Sequence, residues 1–363
     1  MRLAAGTQES LSSIAMRTLP RARPRRLRWV AALATLTLAT VTVAQAQGWR
    51  VEIRPSANVE ANLDWSVRAP HLRACEWLVY TACPPELPSQ HVGSTTVTPA
   101  GHRIRELSPL ARTVWSIRAP ATAATATGFA MRATHALTLF ERHLVPAPAS
   151  DAPLDSALDR AACLRPGPTL DFRAPAFTAW LARTGLPGGG DAVAQARRVF
   201  HYLRDHYRYR FTPGEDRRAS TLCRTDHTDC GGMCVLFVSA LRAAGVPARL
   251  LVGRWAASAV PGATLSGAEY SQYHVKCEFY AGGVGWVPVD PSSSVLHDTS
   301  TAGELFFGHD RGDFITFHVD PDVVLDSVHF GIHATPWLQE NLYWVTGRGT
   351  LDDARIAQRW TVR

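Results

Sequence analysis

Residues 229–255 read DCGGMCVLFVSALRAAGVPARLLVGRW, and residues 274–292 read HVKCEFYAGGVGWVPVDPS. In the first stretch Cys230, Met233, Cys234, Phe237, Ala240, Leu241 and Ala244 recur at intervals of three and four, the period of a helix with one buried face. Gly245 and Pro247 stop it, and Ala248 to Trp255 follow as a strand. The second stretch alternates over His274 to Tyr280 and again over Gly285 to Asp290, with the turn-prone Ala281-Gly282-Gly283 between them, so it reads as a hairpin. A cysteine-headed helix packed on an antiparallel sheet is therefore expected, and the chain is of α+β class.

The same residues carry chemistry. Cys230 opens the helix, where unpaired N–H groups and the positive end of the helix dipole favour a thiolate. Gly231-Gly232 leave room for a carbonyl to approach the sulfur, and the Cys230 amide is aimed at the oxyanion that would form. A hairpin centred on Gly282 pairs His274 with Asp290, Lys276 with Pro288 and Glu278 with Trp286 on one face. Opposed in this way, a carboxylate fixes the tautomer of the imidazole and stabilises its cation. A slip of one residue would put the pair on opposite faces.

These stretches resemble the core of the transglutaminase-like superfamily. Its members have a papain-like fold and a Cys-His-Asp triad. The family's cysteine lies fifteen residues before the glycine of a Gly-Ile-Pro-Ala-Arg turn, and fifteen residues separate Cys230 from Gly245 in Gly245-Val246-Pro247-Ala248-Arg249. Cys234, at eleven, does not fit. The family's closing Gly-Trp-Val-Pro-Val-Asp-Pro matches Gly285 to Pro291. The resemblance implies Cys230 as nucleophile, His274 as general base and acid, and Asp290 as its orienter. The Ala-Trp that usually follows the family's histidine is Val275-Lys276 here. An upstream oxyanion donor is also implied; Tyr209 is the candidate, with Tyr207 as the other possibility and a core aromatic as the plain alternative. The motifs cover about residues 195–310. The triad implies attack on an amide or ester and a thioester intermediate. Hydrolysis of peptide or isopeptide bonds is the expected outcome, protein-glutamine transamidation the alternative, and a non-catalytic cell-envelope binding protein the second alternative. The expected partner is a peptide or protein substrate.

Outward from this core, residues 191–207 place Ala192, Ala196, Val199, Phe200, Leu203 and Tyr207 at helical spacing behind Asp191 as N-cap. Upstream lie short apolar segments: Trp49 to Ile53, Leu63 to Val67, Trp77 to Tyr80, Thr95 to Thr98, Thr113 to Ile117 and Phe129 to Thr134. Their spacing suggests an antiparallel β-sandwich-like domain. The expected division is a signal segment over 1–46, a β-rich accessory domain over 47–148, a linker and lead-in over 149–190, a catalytic domain over 191–345 and a tail over 346–363. Residues 256–272 line or cover the cleft, or simply connect two strands. The role of Trp337 to Trp344, core closure or cover for the domain junction, is left open by the sequence.

With 363 residues, 46% hydrophobic and 19% charged, the chain can bury a core, and disorder as the main state is excluded. The net charge of +7 is concentrated in residues 1–46, where seven arginines face only Glu9, so bulk charge does not point to nucleic acid. Arg17 to Arg28, the apolar Trp29 to Val43 and Ala44-Gln45-Ala46 read as a Sec-type export signal cleaved after Ala46, with a twin-arginine signal at Arg25-Arg26 less favoured. The start is Met1 or Met16, and the expected location is periplasmic or secreted. The apolar run is shorter than the ~20 residues that span a bilayer, so no stable membrane anchor is expected. Seven cysteines would enter an oxidising compartment, where unreactive thiols tend to pair and one of an odd set stays free, and Cys75 with Cys83 is the expected local disulfide. Cys223, His227, Cys230 and Cys234 permit a zinc site only if the segment is a knuckle rather than a helix, and no metal or cofactor is expected.

Overall fold

The computed structural model describes residues 47–148, 160–256, 264–265, 268–269 and 273–363. The signal segment, most of the expected linker and most of 256–272 lie outside these residues. The N-terminal strands are β1 (Gln47–Arg68), β2 (Leu72–Ala82), β3 (Gln90–Thr98), β4 (His102–Arg105), β5 (Thr113–Pro120) and β6 (Gly128–Pro148). Next come α1 (Arg160–Cys163), α2 (Pro175–Thr184), α3 (Ala192–His206), β7 (Arg208–Tyr209), α4 (Ala219–Leu222), β8 (His227–Thr228), α5 (Cys230–Ala243) and β9 (Ala248–Trp255). The remainder is β10 (Thr264–Leu265), β11 (Ala268–Glu269), β12 (Tyr273–Ala281), β13 (Gly285–Val289), α6 (Pro291–His297), β14 (His309–Asp310), β15 (Phe314–Val319), β16 (Val323–Asp326), β17 (Ile332–Thr335), β18 (Leu342–Gly349) and β19 (Arg355–Val362).

The architecture is α+β, with a β-rich N-terminal region and a helix bearing Cys230 packed on an antiparallel sheet. Two antiparallel sheets build the β-rich region, one ordered β14-β6-β1-β19 with β3 also on β6, the other β18-β2-β5-β4. Alternate residues Leu63, Trp65 and Val67 of the first face Trp77, Val79 and Ile117 of the second in one apolar core, as the two-residue period of a strand requires. The segments read as Trp49–Ile53 and Leu63–Val67 are parts of the single strand β1, which continues past a bulge between Pro55 and Ala57 while paired to β6. A proline at a bulge forfeits no regular ladder bond, so it does not end the strand. Residues 346–363 hold the end of β18, paired to β2, and β19, paired to β1.

In the second sheet system the order is β13-β12-β9-β15, all antiparallel. Val275, Cys277 and Phe279 of β12 lie in one core with Met233, Cys234 and Phe237 of α5 and with Val199, Phe200 and Leu203 of α3. Helix α5 is apolar around nearly its whole circumference, as a helix enclosed on several sides must be. Among the described residues no helix is long and apolar enough to cross a membrane.

The expected disulfide does not form. Cys75 and Cys83 are both free thiols, one in β2 and one just beyond its end. Eight residues of extended chain separate their Cα atoms by roughly 25 Å, far beyond what a disulfide spans.

Candidate active site

The β12–β13 hairpin pairs Cys277 with Val289, Glu278 with Pro288, Phe279 with Val287, Tyr280 with Trp286 and Ala281 with Gly285. Its centre is Gly283, which takes the left-handed φ of +72°, not Gly282. The register expected from the sequence is therefore displaced by two: Glu278, not Lys276, faces Pro288, and Tyr280, not Glu278, faces Trp286. Because the displacement is even, every side chain keeps its face. Continued by one residue, the register sets Lys276 across from Asp290, and His274 reaches Asp290 diagonally, with Nε2 2.8 Å from Oδ2.

Both groups are buried. A carboxylate only accepts, so His274 Nε2–H donates to Asp290 and the neutral ring is left with Nδ1 as its free base. Burial pushes the His274 imidazole down, but the Asp290 carboxylate outweighs it and, with Cys230 as a further side-chain partner, lifts the pKa to about 9. Burial pushes Asp290 up; the charge and hydrogen bond of His274 and the charge of Lys276 win, bringing it to about 2. The carboxylate also caps α6, accepting from the Ser293 amide at 3.0 Å and from the Ser293 and Ser292 hydroxyls at 2.7 and 3.1 Å. Trp255 stacks on the His274 ring, centroids 4.5 Å apart and 21° from parallel, and Phe314 meets it edge-on.

Cys230 stands at the first turn of α5, and the turn is fixed from outside the helix. Asp229 is the N-cap and accepts from the Gly232 amide at 3.0 Å. Its carboxylate is gripped by the Arg217 guanidinium, with Nε 2.9 Å from Oδ1 and a second bond from Nη2 to Oδ2. Close approach requires Gly232, where a Cβ would lie 2.0 Å from Thr228 Oγ1, and makes Gly231 a tight fit, where one would lie 3.1 Å from the Trp337 ring. The first amides of an α-helix have no intrahelical acceptor and face outward beside the sulfur.

Tyr209 reaches the same point. The short parallel pair β7–β8 sets Tyr209 beside Thr228, two residues before Cys230, and Tyr209 and Cys230 line the same cavity. Burial, then the neighbouring Cys230 and Asp229, hold the Tyr209 hydroxyl well above its ordinary range, so it stays a donor. Tyr207 does not occupy this place. Its hydroxyl donates to the Leu222 carbonyl inside the core. Cys234 is fully buried, with its thiol on the Val275 carbonyl at 3.3 Å, and burial holds that thiol protonated.

Tyr209, Cys230, Gly231, Tyr273, Trp337 and Glu340 line a cavity of about 720 Å³. Trp337 thus forms part of the cleft wall, and Trp344 lies in β18 against Tyr80. Gln339 ties the adjoining strand ends together by donating to the Gly253 and His274 carbonyls at 2.7 and 2.8 Å. Arg217 and Gln339 carry no signal in the sequence, and Trp255 and Trp337 show there only as the end of a strand and the start of an aromatic segment. Ser292 and Ser293 do, as an Asp-Pro-Ser-Ser run that reads as a capped helix start.

The candidate metal set does not gather. Cys223 donates to Ser220 O, His227 turns to Asp226, and Cys230 and Cys234 lie within α5. Among the described residues no group of three or more His, Cys, Asp and Glu is placed to hold a metal ion.

Comparison with known proteins agrees with this architecture. The model of the transglutaminase-like superfamily matches residues 181–291, a span that contains Cys230, His274 and Asp290. A protein of Cytophaga hutchinsonii, described as a candidate cysteine protease, is 12% identical with a TM-score of 0.50 over 85% of this chain and 93% of its own. The periplasmic domain of TgpA from Pseudomonas aeruginosa is 13% identical with a TM-score of 0.33, over 67% of this chain and 90% of its own. No curated protein matches the sequence. Through residues 181–291 the chain belongs to the transglutaminase-like superfamily, with its papain-like cysteine fold.

Proposed function

We propose that this protein is an exported thiol acyl-transfer enzyme that hydrolyses peptide or isopeptide bonds through Cys230, His274 and Asp290. The observation that carries the reading is the buried His274–Asp290 bond, together with a cysteine that heads a helix and lines an open cleft. Export is supported by the basic and apolar segment that ends at Ala46.

In this reading the Cys230 proton already rests on His274 Nδ1, as the raised imidazole pKa favours, and the sulfur attacks the substrate carbonyl as a thiolate. Asp290 holds the imidazolium. The oxyanion is met by the Cys230 amide and the Tyr209 hydroxyl. Collapse breaks the C–N bond, and the amine leaves with the proton from His274. Water then adds to the thioester as His274 takes its proton, and the acid departs while the thiol is restored. An amine in place of water would give transamidation from the same thioester. The test is turnover of a peptide and isopeptide library with and without an added primary amine. Hydrolysis by the wild-type protein that Cys230→Ala abolishes, with its melting profile retained, is the expected result. Undiminished turnover by a folded Cys230→Ala variant contradicts the mechanism, and product carrying the added amine makes transamidation the activity.

A further inference from the structure

Lys276 is the only lysine in the chain, and it is 6% exposed. Its ammonium donates to Asp310 at 3.1 Å and Asp313 at 3.4 Å, and lies 4.4 Å from the centre of the Trp255 ring and 5.2 Å from that of Phe314. Asp310 in turn accepts from the fully buried Arg142, which also donates to Glu278, and Glu278 accepts from Arg249. Three cations thus alternate with three carboxylates. The cluster reaches from the β-rich region, through Arg142 of β6, into the strand that carries His274.

Two observations link this cluster to the site. Lys276 and Asp290 line a second cavity of about 270 Å³, together with Trp255, His309, Asp310 and Asp313. Trp255 is also the ring on which His274 stacks, so ammonium and imidazole share one aromatic neighbour. In a region where bulk water screens little, a fixed positive charge across from Asp290 acts on it strongly. The charge of Lys276 indeed favours the Asp290 carboxylate. The other charged and titratable groups around this cavity are Arg311, which approaches Asp313, and His309, which burial holds neutral; His297 of α6, also lowered by burial, faces the His274–Asp290 pair.

We propose that Lys276 is a positioning residue for the His274–Asp290 pair, its ammonium setting the charge of Asp290 and seating the Trp255 ring against which His274 is held. Its consequence for turnover rests on the thiol-enzyme reading. Its effect on His274 does not.

The experiment follows the His274 imidazole by NMR across pH in the histidine-labelled full chain, the signal being assigned with His274→Gln. Removing a neighbouring positive charge makes protonation easier, so Lys276→Met is expected to raise the His274 midpoint by about one unit. Lys276→Arg, which keeps the charge, is expected to leave it near the wild-type value. Should Lys276→Met fail to fold, Asp313→Asn tests the same field in the opposite direction, because an ammonium with one carboxylate fewer lowers the midpoint. An unmoved midpoint in a folded Lys276→Met or Asp313→Asn variant would make the lysine purely structural and overturn the proposal, as would an equal rise in Lys276→Arg. If His274 responds to Lys276 while Cys230 proves inert to alkylation, the thiol-enzyme reading fails and this one stands.

Discussion

His274 and Asp290 are bonded diagonally across the β12–β13 hairpin, Nε2 to Oδ2 at 2.8 Å, at a point where the regular ladder has already ended. The diagonal matters because a directly opposed partner would have met the ring from its own level of the sheet. Asp290 instead leaves β13, caps α6 and meets the ring with three other hydrogen bonds already fixing it.

Asp290→Asn is therefore expected to lower turnover by a factor on the order of 10² to 10⁴ while the protein stays folded. The amide can keep the Ser293 contacts but offers His274 no charge and permits the wrong tautomer. Steady-state kinetics beside a thermal melt check it; turnover within a factor of about three of wild type would remove Asp290 from the mechanism.

Tyr209→Phe keeps the ring in place and removes one donor. A fall in kcat of roughly 10- to 1000-fold with KM little changed is expected if the phenol serves only the transition state. A change confined to KM would make Tyr209 a binding residue instead.

Stability should pass through a maximum near pH 6.5. His274, raised from 6.5 to about 9, stabilises the fold fully below 6.5 and loses that contribution as pH rises through about 9. His135 and His318, lowered by burial to about 4 and about 3, act in the other sense: their contribution is whole above 6.5 and is lost as pH falls toward those values. Melting temperatures from pH 3 to pH 10 test this. The alkaline decline should flatten in His274→Ala, and a decline of undiminished slope there would contradict the assignment.

Arg217 neutralises the carboxylate that caps α5, so Arg217→Ala strands a buried charge at the helix start. A loss of about 3 kcal/mol in urea unfolding is expected, with slower alkylation of Cys230. Stability and alkylation both at wild-type levels would show that the cap holds without it.

The helix, the hairpin and the face shared by His274 and Asp290 were legible because periods of 3.6 and 2 are local properties of the chain. The register was not. Alternation constrains it only to an even number, and the choice depends on which residue of Gly282-Gly283-Val284 takes the left-handed conformation; Gly283 does. The continuity of β1 was hidden by Pro55, whose place at a bulge is set by β6, more than eighty residues away in sequence. Arg142 and Glu278 form a fully buried pair across 136 residues, and nothing in either neighbourhood marks the other. The Cys75–Cys83 pairing failed for the converse reason: nearness in sequence became distance once the intervening residues extended as a strand.

The central claim is that Cys230 is activated by His274. Mass-spectrometric mapping of iodoacetamide labelling at pH 6 tests it without a substrate, and the exposed Cys75 is an internal reference for an ordinary thiol. The account predicts that Cys230 is modified faster than Cys75 and that His274→Ala slows Cys230 at least about tenfold while leaving Cys75 unchanged. Labelling of Cys230 no faster than Cys75, or a rate indifferent to His274, would contradict it.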